Sequence, residues 1–170
     1  MSTNQPRKPA GTPVGGQWAP MAHAEPEIKL GGSPTMSVTY DGTKEWLLKE
    51  KFHREDGPAV EHPDGTELWY RHGELHRGDG PAVEASNGTR EWWVNGRLHR
   101  NDGPAMEYPD GTKKWYQHGK LHREDGPAIE YPGGVKYWYQ FDELHRTDGP
   151  AIENLEGVLN SSTISESNIA

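Results

Sequence analysis

One string, His-Arg-x-Asp-Gly-Pro-Ala-x-Glu, returns five times at an interval of 23 residues, with its histidines at positions 53, 76, 99, 122 and 145. A period this strict marks a repeat array, in which each unit buries its apolar face against its neighbours. It also constrains function. A catalytic centre is one asymmetric constellation, whereas this chain offers the same groups at every repeat.

Aligned on the histidines, the copies extend to one unit: Asp-Gly-Thr-x-x-Trp-aromatic-x-x-Gly-x-Leu-His-Arg-x-Asp-Gly-Pro-Ala-apolar-Glu-Tyr-Pro. Trp46, Trp69, Trp92, Trp115 and Trp138 fill the Trp position, and Leu47, Tyr70, Trp93, Tyr116 and Tyr139 follow them. Gly73, Gly96 and Gly119 fill the first turn, where the outermost copies carry Glu50 and Asp142; Ser161 stands where a sixth Trp would fall. Loss of consensus at the ends is expected of capping units.

Each unit carries two turn signals. Asn95-Gly96 and His118-Gly119 read as hairpin turns, and Pro63-Asp64-Gly65 and Pro109-Asp110-Gly111 as second turns. Between them lie runs of Thr, Trp, Tyr, Val and Ile, which suit a pleated surface. No window carries a helical apolar stripe. Pro inside a strand belongs at an edge, a strand start or a bulge. The reading is therefore a strand over 120–123, a bulge or tight bend at Asp125-Gly126, a continuation over 127–131, and a hairpin partner over 112–116. Two passes per unit give an all-β fold: a twisted, single-layer antiparallel meander of five 23-residue hairpin units. A closed β-helix is the alternative. Strands about 4.8 Å apart place equivalent residues about 9.6 Å apart.

Hydrophobic residues make up 31% and mean hydropathy is −1.00, values that alone suggest disorder. Six of the seven Trp nevertheless recur inside the array, so the low apolar total fits a thin, solvated sheet. The array spans 35–158. Residues 1–34, rich in Pro and Gly, read as an arm. Within it Trp18 reads either as a passive element or as a docking anchor, large aromatics being typical of interfaces. The stretch Arg-Lys-Pro-Ala-Gly-Thr-Pro-Val-Gly-Gly-Gln-Trp-Ala-Pro resembles a short leader on actinobacterial and phage-borne proteins. Residues 159–170 form a polar, Ser-rich tail.

Net charge is −8, and the first 34 residues are slightly basic, so the excess negative charge lies in the array and tail. An acidic body disfavours non-specific nucleic-acid or anionic membrane binding. There is no Cys, hence no disulfide or thiol nucleophile. No apolar run approaches the roughly 20 residues of a spanning helix, and no secretory signal is expected. A cytoplasmic location, or a virion for a phage-encoded chain, follows as an expectation.

The repeated His-Arg-x-Asp invites three readings. Zinc ligands bind at about 2.0–2.3 Å, so histidines about 9.6 Å apart cannot share an ion; no metal or cofactor is expected. No unique nucleophile accompanies His and Asp, so no enzyme is expected. The Arg and His rows could capture an anionic nucleotide through Arg77, Arg100, Arg123, His76, His99 and His122, or they could pin a repeated bend through Arg–Asp and His–backbone bonds. The aromatics, Trp69, Trp92, Trp93, Trp115 and Trp138 among them, are either sheet packing or a platform for a partner's apolar surface.

The unit resembles the MORN repeat, on Trp92-Trp93-Val94-Asn95-Gly96-Arg97-Leu98-His99 followed by Tyr108-Pro109-Asp110-Gly111. Where that family follows His with Gly-x-Gly, this chain has Arg-x-Asp-Gly-Pro. The resemblance implies a β-hairpin array that serves as a scaffold or protein-binding platform; some members are linked to phospholipid, a role the acidic body disfavours. The array, its aromatics and the two arms separately suggest a protein partner, a phage or mobile-element assembly or a second copy.

Overall fold

The structure, a computed structural model, describes residues 32–154; Trp18 and the tail at 159–170 lie outside the described residues. Every regular element among them is a strand. In chain order these are β1 (Thr35–Val38), β2 (Lys44–Leu48), β3 (Lys51–Phe52), β4 (Val60–Glu61), β5 (Glu67–Leu68), β6 (Tyr70–Arg71) and β7 (Glu74–Leu75). They continue as β8 (Val83–Glu84), β9 (Arg90–Glu91), β10 (Trp93–Val94), β11 (Arg97–Leu98), β12 (Met106–Glu107), β13 (Lys113–Lys114) and β14 (Tyr116–Gln117). The last six are β15 (Lys120–Leu121), β16 (Ile129–Glu130), β17 (Lys136–Tyr137), β18 (Tyr139–Gln140), β19 (Glu143–Leu144) and β20 (Ile152–Glu153).

One antiparallel sheet runs β1-β2-β4-β5-β8-β9-β12-β13-β16-β17-β20, with β3 also on β2. It is an open meander, not a closed β-helix. Among the described residues the hairpins β6–β7, β10–β11, β14–β15 and β18–β19 pair only within themselves as strands.

The expected strand over 120–123 is shorter, ending at Leu121, and its expected partner over 112–116 is broken at Trp115 into β13, which pairs with β16, and β14, which pairs with β15. The reason lies in the backbone at each Trp. The Trp69 N–H donates to Ala82 at 2.8 Å, while its carbonyl accepts from His76 at 3.0 Å. Pairing therefore jumps from residue 76 to residue 82, and 77–81 loop out. The same two bonds recur at Trp46, Trp92, Trp115 and Trp138. The bend expected at Asp125-Gly126 is one of these loops. Successive hairpins are joined at their corners, as where the Gly96 N–H donates to the Leu75 carbonyl at 3.0 Å and the Arg77 N–H to the Trp93 carbonyl at 3.2 Å.

Turn chemistry matches the residues. In the Pro-Asp-Gly turn, Gly65 takes φ +89°, and Asp64 Oδ1 accepts the Thr66 N–H at 2.8 Å. The hairpin turns need positive φ at two residues, which Asn95 (49°) and Gly96 (69°) supply with little strain. The outer turns impose it on Lys49 and Glu50, and on Phe141 and Asp142. The core is thin. Ala59, Ala82, Ala105 and Ala128 are fully buried beside Val60 and Ile129, and no large side chain among the described residues is completely enclosed.

Candidate functional site

The looped-out segment is organised by its arginine. Each guanidinium lies over the indole of its own unit: Arg54 on Trp46, Arg77 on Trp69, Arg100 on Trp92, Arg123 on Trp115 and Arg146 on Trp138, with centroid distances of 3.9–4.1 Å. Its Nε donates to the Asp two residues on, at 3.0 Å for Arg100 and Asp102. Its Nη1 donates to the Pro carbonyl four residues on and to the Glu seven residues on, both at 3.3 Å for Pro104 and Glu107. The same set recurs at Arg54, Arg77 and Arg123, and at Arg146 with Asp148, Pro150 and Glu153.

The glycine of Asp-Gly-Pro is part of this clasp. It does not sit in the left-handed region; it provides room. A Cβ on Gly103 would lie 3.0 Å from Arg100 Cζ, and one on Gly126 would lie 2.9 Å from Arg123 Cζ. The guanidinium is sandwiched between indole and glycine backbone, with arginine side chains 17–24% exposed. The Arg100 guanidinium holds the Asp102 carboxyl below its ordinary value, and Arg123 and Arg146 do the same to Asp125 and Asp148.

The histidines tie one unit to the next. His53, His76 and His99 accept at Nδ1 from the N–H of His72, Asn95 and His118, at 3.1–3.2 Å. His122 departs from this pattern. Its ring stacks on Phe141 at 4.1 Å, as His53 does on His72 at 4.4 Å and His99 on His118 at 4.6 Å, but among the described residues neither ring nitrogen has a hydrogen-bond partner, although the residue is only 3% exposed.

The sequence-predicted residues are therefore distributed as follows. Arg77, Arg100 and Arg123 each hold two carboxylates and a carbonyl. Trp69, Trp92, Trp115 and Trp138 are half-buried, one face under a guanidinium. Trp93 is half-buried and donates from Nε1 to Glu91 at 2.8 Å. Trp18 lies outside the described residues. Among the described residues no group of three or more His, Asp or Glu is placed to hold a metal ion, and no helix is long and apolar enough to cross a membrane.

Exposed apolar residues instead gather near the ends of the sheet path: Met36, Val38 and Tyr40 at its start, and Tyr131, Phe141 and Leu144 toward its finish. All four residues of β1 are exposed, and among the described residues β1 pairs only with β2. The repeat-based reading missed β1 because it precedes the first motif. The alternation Met36, Val38, Tyr40 was the signal available. Comparison with known proteins returns no match, either to a family model or to a curated protein.

Proposed function

We propose that this chain is a non-enzymatic, protein-binding scaffold, a MORN-like hairpin array that takes its partner by strand addition at β1. The observation that carries the reading is the position of β1 at the edge of the sheet, unpaired on its outer side among the described residues, exposed on both faces and presenting Met36 and Val38 on one of them. An unprotected edge strand is a template for another chain, with backbone bonds giving affinity and alternate side chains giving selectivity. The partner class favoured is a phage or mobile-element assembly protein, or a second copy of this chain, in the cytoplasm or a virion. Capture of an anionic nucleotide draws no support from the arginine row, whose guanidiniums are already bonded within their own loops.

In the β1–β2 register Thr39 and Thr43 form the bonded pair next to the turn, so alternation turns the Val38 N–H away from β2. Val38→Pro thus blocks the edge while sparing the ladder. The test is light scattering over a concentration series, together with retention of partners on immobilised full chain. The expected result is self-association or a retained partner that Val38→Pro abolishes at unchanged thermal stability. A wild-type chain that stays monomeric and retains nothing defeats the scaffold reading. A variant that binds as before defeats the edge assignment.

A further inference from the structure

Successive Arg-x-Asp-Gly-Pro loops leave grooves between them. One, of about 690 Å³, lies between 100–104 and 122–125, with Trp115 and Gln117 in its lining. The next, of about 490 Å³, lies between 123–127 and 145–148, with Trp138 and Gln140 at the equivalent places. Their rims are acidic. Asp102, Asp125 and Asp148 spend Oδ1 on their arginines and project with side chains 79–84% exposed; Glu124, 84% exposed, adds a carboxylate between them.

His122 belongs to the wall of the larger groove. It is buried with both ring nitrogens unpaired, and its Nε2 stands 3.8 Å from Glu124 Oε1, beyond hydrogen-bond reach. A buried polar group without a partner calls for one. The imidazole offers unused hydrogen-bonding capacity, and the rim supplies negative charge. The complementary group is a cation with N–H donors, a guanidinium or an ammonium, whose aliphatic stem would lie along the indole.

Groove spacing selects the backbone that would carry such cations. Two strands per unit at about 4.8 Å set the grooves about 9.6 Å apart. A β-strand returns a side chain to one face every two residues, about 6.7 Å. An α-helix nearly returns after seven residues, about 10.5 Å, and slips by about 1 Å per groove. Polyproline II returns after three residues, about 9.3 Å.

We infer that the loop row binds a basic segment in the polyproline II conformation, with Arg or Lys at every third residue entering successive grooves. This surface is separate from the β1 edge and does not depend on strand addition there.

The experiment measures fluorescence anisotropy of a labelled (Arg-Pro-Pro)5 peptide with the full chain at low salt. A peptide of the same composition with its arginines clustered at one end is the comparison. The expected result is binding that weakens with salt and is about tenfold weaker for the clustered peptide, since only the spaced one meets several rims. Glu124→Lys touches no clasp and is expected to weaken binding about tenfold or more at unchanged thermal midpoint. Val38→Pro is expected to leave it unaltered. Absence of binding, equal binding of the two peptides, indifference to Glu124→Lys, or loss on Val38→Pro would each overturn the proposal.

Discussion

Gly103→Ala should be destabilising in the wild-type chain and harmless once Arg100 is removed. A methyl at 103 would stand 3.0 Å from Arg100 Cζ and 3.1 Å from Nε, well inside ordinary carbon contact. The guanidinium cannot retreat, because the Trp92 ring lies 4.0 Å away on its other side. Overpacking of this kind costs about 1–3 kcal/mol. Arg100→Ala removes the cation–π contact, about 1 kcal/mol at a partly exposed site. It also removes a charge-assisted bond to the Pro104 carbonyl, about 1.5 kcal/mol for a bond this long, and an ion pair with Glu107 of about 0.5 kcal/mol. The loss is roughly 3 kcal/mol by those terms. In that background the new methyl meets no guanidinium. Because Gly103 does not adopt positive φ, alanine fits its backbone and gains about 0.4–1 kcal/mol by restricting the unfolded chain. The sign of the Gly103→Ala effect therefore reverses, with a coupling of about 1–3 kcal/mol, the overpacking term alone, since the unfolded-state gain is common to both backgrounds. Urea unfolding of the four proteins, followed by Trp fluorescence, measures the cycle. If Gly103→Ala costs the same in both backgrounds to within about 0.5 kcal/mol, the glycine serves the backbone and the sandwich reasoning is wrong.

Acid should erode stability late. Bonds from their arginines hold Asp102, Asp125 and Asp148 below the ordinary 3.8, and the N–H of Thr66 and Thr112 does so for Asp64 and Asp110. Depressed carboxyls contribute fully above their unfolded value and lose that contribution as pH falls through the folded one. The thermal midpoint should therefore hold down to about pH 4 and fall below it; a midpoint unchanged at pH 2 refutes this. Glu50→Gly should raise stability by about 1 kcal/mol, because Glu50 sits at φ 63° where glycine is free of strain. Asp142→Gly should gain far less in the same urea assay, since Asp142 Oδ1 accepts the Leu121 N–H at 2.8 Å and that bond would be lost. Ala105→Leu, at a fully buried site, should cost about 1–3 kcal/mol by overpacking; a neutral result would mean that the sheet opens there without penalty.

The architecture was legible because its signals are local. Asn95-Gly96 and Pro109-Asp110-Gly111 dictate positive φ wherever they occur, and the aromatic runs between them can only be strands. The Arg–Asp pin was legible for the same reason, its partners being two residues apart. The rest of the clasp was not. Trp92 precedes Arg100 by eight residues and Glu107 follows it by seven, and nothing in a linear motif says that a loop folds the guanidinium back over the ring. The bend read at Asp125-Gly126 is present, as is its equivalent at Asp102-Gly103, but the room that Gly103 leaves for the guanidinium was not visible in the motif. The strand breaks at Trp69 and Trp115 were hidden too, because the ladder continues through bonds that skip 77–81 and 123–127. His122 has the same flanking motif as His99, so its unpaired nitrogens come from residues 19 and 20 positions away, Phe141 and Asp142.

That last departure links stability to recognition. With no large side chain completely enclosed among the described residues, the array must hold through neighbour-to-neighbour terms, as quasi-one-dimensional proteins do. The His–amide bond is one such term, joining His76 to Asn95 and His99 to His118. At His122 the corner bond is kept, with the Asp142 N–H on the Leu121 carbonyl at 3.0 Å, and Phe141 stacks on the imidazole as His118 does on His99; what differs is that Asp142 Oδ1 takes the Leu121 N–H while the His–amide bond is missing. The junction is sealed without the histidine's nitrogens. An acceptor that is structural in the inner units is thereby left unspent beside an acidic groove. Replacing Phe141-Asp142 with Asn-Gly would restore the inner-unit turn, and the N–H at 141 would then compete for His122 Nδ1. The rim carboxylates would be untouched, so peptide binding that weakens in this variant while Glu124 stays in place would trace the recognition to the imidazole itself.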